Sequence, residues 1–236
     1  MRRIFIGDIQ GCAQQLDELL AAVGLQSDDR LYCVGDLVNR GPDSLTVLRR
    51  LRQLDARIVL GNHELYLLRR ARKSKPCESG HPLAAILTAS DRDELLLWLG
   101  GQPIMHVEED IVMVHAGLHP DWTDLPTTAD ELNGALRTHL DGDRDRRITF
   151  ATEVRHCDAH GRRPAIDDPP PGPPYEPWDH FYRGVRLAVF GHWARRGLVI
   201  GPCVRGLDTG CVYGGVLTAW IAEDDRIVQV PGLRVG

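Results

Sequence analysis

At 236 residues, 43% hydrophobic and 26% charged, the chain has the length of one large α/β-type domain and a globular rather than disordered composition. Its formal net charge of -5 argues against a broad basic face for nucleic acid. No apolar run approaches the roughly 20 residues that a helical membrane span requires, so no membrane association is expected.

Met1, Arg2 and Arg3 run directly into a first apolar, β-rich run at 4–6. That leaves no room for a signal-peptide core, and the expected location is the cytoplasm. The run leads into Gly7-Asp8-Ile9-Gln10-Gly11, and a stretch of helical period follows at 13–23. A second run, 31–34, leads into Gly35-Asp36-Leu37-Val38-Asn39-Arg40-Gly41 and a helix over 44–54. A third, 57–60, leads into Gly61-Asn62-His63-Glu64 and a helix over 64–73. Repeated β-α units of this kind predict a sheet with parallel strands. Stretches 91–99 and 129–140 read as surface helices, open to a role as a cap. A run at 111–114 leads into His115-Ala116-Gly117. Segment 164–178 concentrates seven of the fifteen prolines. So many fixed φ angles and missing donors exclude helix and central strand, leaving a semi-rigid loop that either borders a cleft or merely connects elements. From 184 onward, runs at 187–190, 198–200, 216–221 and 226–230 follow one another across Gly-rich turns, which predicts an antiparallel region. The expected fold is α/β with an α+β tendency, one domain over 1–236. The six cysteines, Cys12, Cys33, Cys77, Cys157, Cys203 and Cys211, contain no C-x-x-C pair and read as free thiols.

Five polar clusters, the last at Phe190-Gly191-His192-Trp193, each follow an apolar run and so sit where a strand hands over to its loop. Loops anchored by a rigid sheet are where open α/β folds place their chemistry. A two-metal site needs a bridging carboxylate, further oxygen or nitrogen ligands for each ion, and an open face. Asp8, Asp36, Asn62, His115 and His192 supply candidates in that proportion. Taken singly, a Gly-Asp pair is usually a turn and a strand-end His a satisfied structural residue; the weight lies in the five together.

These motifs resemble the signature of the calcineurin-like metallophosphoesterases, which include the Ser/Thr phosphoprotein phosphatases. Val38-Asn39-Arg40-Gly41-Pro42, Gly191-His192-Trp193-Ala194 and Leu207-Asp208-Thr209-Gly210-Cys211 further resemble the symmetrical diadenosine tetraphosphatases. The similarity covers nearly the whole chain and thins between about 123 and 183. It implies two mixed sheets sandwiched between helices and two divalent ions, manganese first, with cobalt, iron, magnesium or zinc as alternatives. Asp8, position 10 and Asp36 would hold the first ion; Asp36, Asn62, His115 and His192 the second. A metal-bridging hydroxide would attack phosphorus and His63 would protonate the leaving oxygen. Arg40 would clamp phosphate oxygens through its planar fork, unless it is only a surface arginine beside a turn. Arg155 resembles a second family arginine. Trp193 and Tyr213 either stack on a nucleobase or belong to the core, and Asp208 reads as a supporting residue.

The chain departs from the wider family at two positions. Gln10 stands where a His ligand is usual, which should weaken the first metal position. Asn39 stands where phosphoprotein phosphatases have the Asp that orients the catalytic His, which argues against that branch. The resemblance therefore implies metal-dependent hydrolysis of diadenosine tetraphosphate to two ADP, with capped RNA ends bearing the same linkage as a further substrate and no obligate protein partner. A phosphomonoesterase acting on phosphoproteins is the rival enzyme, and a non-catalytic binding protein the rival from another class.

Overall fold

The computed structural model describes residues 1–73, 80–167 and 169–233. The first elements are β1 (Arg3–Ile6), α1 (Ala13–Val23), β2 (Arg30–Cys33), α2 (Ser44–Gln53), β3 (Arg57–Ile58) and α3 (Asn62–Arg72). Next come α4 (Ala84–Thr88), α5 (Arg92–Gly100), β4 (Met105–Val107), β5 (Ile111–Val114), α6 (Leu125–Asp141) and α7 (Arg146–Glu153). The chain then continues through β6 (His156–Cys157), β7 (Glu176–Pro177), β8 (Leu187–Phe190), β9 (Val199–Ile200), β10 (Val204–Gly206), β11 (Val216–Ile221) and β12 (Arg226–Pro231).

Two five-stranded sheets result, in the orders β12-β11-β1-β2-β3 and β4-β5-β8-β10-β9, with β6-β7 as a separate ribbon. In the first sheet β1, β2 and β3 are parallel, as the β-α units predict, and the β11-β12 hairpin pairs with β1 through the antiparallel strand β11. In the second, β5, β8 and β10 are parallel and only the edge pairs β4-β5 and β9-β10 are antiparallel. The antiparallel region expected from 184 onward is thus only partly present. The chain leaves β8, forms the outer strand β9, and returns as β10 between the two. No helix of ordinary length marks that crossover, so periodicity could not reveal it.

Alternation along the strands places the core in layers. Phe5, Tyr32, Ile111, Met113, Val189 and Trp220 pack together between the two sheets, while their neighbours Ile4, Ile6, Leu31 and Cys33 join the cluster containing Leu16, Leu19, Leu48 and Leu51 of α1 and α2. A period of two with both faces buried is what a sheet covered by helices on one face and by a second sheet on the other requires. The second sheet buries Val112, Val114, Ala188 and Phe190 in the same cluster as Leu125, Leu132 and Leu136 of α6. The helix expected at 129–140 packs on β4 and α3, and that expected at 91–99 on α2, α3 and α4, so both belong to the outer helical layer, not to a cap. Five cysteines are free, four of them buried and Cys203 exposed; Cys77 lies outside the described residues. No described helix is long and apolar enough to cross a membrane.

Candidate metal centre and its cleft

The loops after β1, β2, β3, β5 and β8 converge at one end of the paired sheets. Close approach explains the glycines beside the polar residues: a Cβ on Gly191 would strike the Asp8 carboxylate, and one on Gly61 would strike that of Asp36. Strained backbone gathers at the same place. Of the seven non-glycine residues with positive φ among the described residues, five are Gln10, Asp36, Asn39, Arg40 and His192. Such conformations cost roughly 1–3 kcal/mol each and persist only where the surroundings enforce them.

Glu64 is a large part of that enforcement. Fully buried in the first turn of α3, it accepts from the N–H groups of Gly61 (2.9 Å), Asp36 (2.8 Å) and Leu37 (2.8 Å). One carboxylate thus ties the β2 loop to the start of α3. The motif displayed Glu64, but nothing in the sequence told that its oxygens serve the backbone.

Asp36 lies at the centre. Its Oδ1 accepts from the His63 backbone N–H at 3.0 Å and lies 3.3 Å from His115 Nε2, while His63 Nε2 lies 3.7 Å from Oδ2. Burial alone would raise its pKa, yet the imidazoles of His115, His63 and His192 hold it below the ordinary carboxylate range. Asn62 Oδ1 lies 3.1 Å from both His115 Nε2 and His192 Nδ1. His115 donates from Nδ1 to the Val34 carbonyl at 2.8 Å, which fixes the tautomer and turns Nε2 inward. Backbone anchoring of one ring nitrogen is how metal-ligating histidines are usually oriented. His63 is anchored likewise, Nδ1 to the Val38 carbonyl at 3.2 Å. Asn39, expected beside this His, makes no side-chain hydrogen bond among the described residues. Its N–H instead donates to Ser44 Oγ at 2.9 Å.

Charge at the centre is unbalanced. Asp8 is raised well above the usual carboxylate range by burial, Asp208 and Asp36, and Asp208 is pushed up to about 6 by burial and by Asp36. His192 is held well below its ordinary value by burial and by His115, and its Nε2 is buried without a partner among the described residues. Donor atoms of Asp36, His115 and His192 lie within 4.8 Å of one another. Carboxylates such as Asp8 and Asp208 that oppose each other's ionisation, beside the His192 imidazole denied its own, are what a divalent cation relieves. The residues fit a metal.

The centre opens into a cleft of about 810 Å³. Gln10, Asp36, Asn62, His63, His192 and Asp208 line it, as do Arg40, Arg155, Trp193 and Tyr213. Asp8 and His115 lie buried beside it; Asp8 accepts from the His192 N–H at 3.1 Å. Gln10 Nε2 lies 3.4 Å from Asp36 Oδ2, at the long limit of a hydrogen bond. Every residue singled out in the sequence except Asn39 is thereby brought to the centre or its cleft. Trp193 is already engaged, by the His156 ring at 4.6 Å and the Arg196 guanidinium at 5.2 Å. Tyr213 is 54% exposed, with the Arg40 guanidinium 6.0 Å from its ring. The proline-rich loop borders the cleft through Asp167 and Pro170.

Residues 1–196 match the calcineurin-like phosphoesterase family. The chain belongs to that family. Among curated relatives, the symmetrical bis(5'-nucleosyl)-tetraphosphatase of Nitrosospira multiformis is 40% identical, over 95% of this chain and 94% of its own. The protein of that name from Chromohalobacter salexigens is 42% identical, over 91% and 92%. A solved structure described as a candidate diadenosine tetraphosphatase superposes with a TM-score of 0.77 at 33% identity, covering 99% of this chain and 95% of its own. A metallophosphoesterase from Sphaerobacter thermophilus shares the fold, at 15% identity and a TM-score of 0.55. Like its family, this calcineurin-like phosphoesterase is a metal-dependent hydrolase, and Asp36, His115 and His192 are grouped so that they could hold a metal ion. What sequence reasoning missed is the support: Glu64, the Val38 carbonyl, and the His156–Asp167 pair on the cleft wall. Glu64 and Val38 stand inside motifs and His156 beside Arg155, but no sequence signal reveals these supporting roles.

Proposed function

We propose that this chain is a cytoplasmic hydrolase of dinucleoside polyphosphates that cleaves diadenosine tetraphosphate symmetrically into two ADP. The observation carrying this reading is the roughly 40% identity, over nearly full length, to relatives named for that activity. The tetraphosphatase-like motifs also lie at the cleft, where Trp193, Ala194, Asp208, Thr209 and Gly210 form part of the wall.

Asp8, Gln10 and Asp36 would hold one divalent ion and Asp36, Asn62, His115 and His192 a second, with manganese suited to this mixed oxygen and imidazole set. When bound, the pair supplies an activated water nucleophile and neutralises phosphate charge. The chain's own residues do the rest. His63, its Nδ1 proton committed to Val38, presents Nε2 beside Asp36 as the group that protonates the departing diphosphate oxygen. Arg40 and Arg155 offer guanidinium forks to phosphate oxygens. An RNA 5' end bearing the same tetraphosphate linkage presents the same reacting atoms.

Manganese-loaded protein, incubated separately with diadenosine tetraphosphate, a phosphopeptide and p-nitrophenyl phosphate, tests this reading. The dinucleotide should be turned over with the highest kcat/KM. Brisk phosphopeptide hydrolysis without dinucleotide cleavage would replace it with the protein phosphatase alternative.

A further inference from the structure

Asp167 is an odd residue to find on the wall of a polyphosphate cleft. A carboxylate there opposes a multiply charged anion. Yet its position is built, not incidental: Oδ1 accepts a hydrogen bond from His156 Nδ1 at 2.7 Å, and His156 is itself buried, its ring packed against Trp193 at 4.6 Å and 71°. Trp193 is braced in turn by Arg196, whose guanidinium grips Asp179 through both nitrogens at 2.6 and 2.9 Å. The chain Asp179–Arg196–Trp193–His156–Asp167 thus joins the turn after β8 to the proline-rich loop and fixes one carboxylate at the cleft edge. His156 is the only hydrogen-bonding partner of Asp167 among the described residues. That bond uses Oδ1, and the Asp167 side chain retains 17% exposure, leaving acceptor capacity in the cleft.

We infer that this stretch of wall is a nucleoside subsite in which Asp167 accepts a hydrogen bond from an uncharged N–H or O–H donor of the substrate's nucleoside, a ribose hydroxyl or an exocyclic base amine. The inference rests on the reading of the cleft as a nucleotide hydrolase site. Fixed acceptors of this kind discriminate by chemistry. A nucleoside donor satisfies the carboxylate, whereas phosphate oxygens are repelled from it and driven towards the metal centre and the arginines. Asp167 is therefore a specificity residue, setting where a nucleoside rather than a phosphate lies, while the centre around Asp36 does not depend on it.

Asp167→Asn isolates this role. The amide oxygen can still accept from His156, so the loop stays anchored, and the NH2 group then faces the cleft as a donor where an acceptor stood. The readout is inhibition of p-nitrophenyl phosphate hydrolysis by ADP and, separately, by inorganic pyrophosphate, with metal in fixed excess. It requires no turnover of a dinucleotide, so failure of the tetraphosphatase reading would show separately as absent diadenosine tetraphosphate cleavage by the unmodified protein. The substitution should raise the inhibition constant of ADP by about tenfold, the scale of one hydrogen bond to a charged acceptor. The pyrophosphate constant and kcat on p-nitrophenyl phosphate should stay within about twofold on the same scale. Dideoxy-ADP and inosine diphosphate identify the donor: whichever inhibits both proteins equally lacks the group that Asp167 engages. Equal loss for ADP and pyrophosphate, or no change for ADP, would overturn the inference.

Discussion

A backbone carbonyl bears on one of the two departures from the wider family, and a side-chain distance on the other. Asn39 stands where an orienting Asp was anticipated, yet His63 is oriented by the Val38 carbonyl, and the Asn39 side chain has no hydrogen-bonding partner among the described residues. Asn39→Ala should therefore change kcat by less than about threefold, far below the 10²- to 10⁴-fold attached to the acid-base group itself; steady-state kinetics on diadenosine tetraphosphate checks this. At Gln10 the geometry leaves more to gain. Its amide sits 3.4 Å from Asp36, the residue proposed to share the first ion with it, and an imidazole is the stronger donor for transition ions. Gln10→His should lower the manganese concentration giving half-maximal activity, by several-fold on the scale of one improved ligand. An unchanged requirement, measured by metal titration, would place Gln10 outside the coordination shell. The residues that converge on the cleft were legible because short Gly-flanked motifs fix both residue type and place. The support was not, because a carbonyl such as Val38 or Val34 has no side-chain signature and Glu64 is indistinguishable in sequence from a helix-start acid.

Among elements, the β-α half of the molecule could be read almost directly. Period-two and period-3.6 patterns alternate from β1 to α3, and each helix buries one face. The second sheet was harder. Its parallel pairing of β8 with β10 runs through a crossover too short to carry a helical pattern, and its edge strand β9, like β6 and β7 of the separate ribbon, has only two residues. The plug under this sheet is Trp178, which is fully buried, packs its ring on Phe190 at 5.1 Å and abuts Gly117. Its Nε1 has no partner among the described residues, so its contribution is packing rather than a hydrogen bond. Trp178→Ala should cost about 3–5 kcal/mol, the usual range for emptying a large aromatic site, read from the urea midpoint of unfolding.

At the scale of the whole molecule, the metal centre couples stability to pH. Asp208 is pushed up to about 6, against roughly 4 for an unfolded carboxyl. Metal-free protein thus binds more protons folded than unfolded across that window, and its stability should fall as pH rises from about 4 to 6. A rise of that size in one carboxyl corresponds to about 3 kcal/mol. Divalent ions should compensate the same carboxylates, so the Tm gap between metal-loaded and chelator-treated protein should widen from pH 5 to pH 7. A constant gap in thermal unfolding would mean that these carboxylates do not face the metals.

The central claim is that the cleft holds a tetraphosphate bridge across the metal centre and breaks it in the middle. Early products from diadenosine tetraphosphate, separated by ion-exchange chromatography, test this most directly. Attack at an inner phosphorus, with His63 protonating the departing diphosphate, gives two ADP and, in ¹⁸O-labelled water, one heavy oxygen on only one of them. Equal ATP and AMP would contradict it.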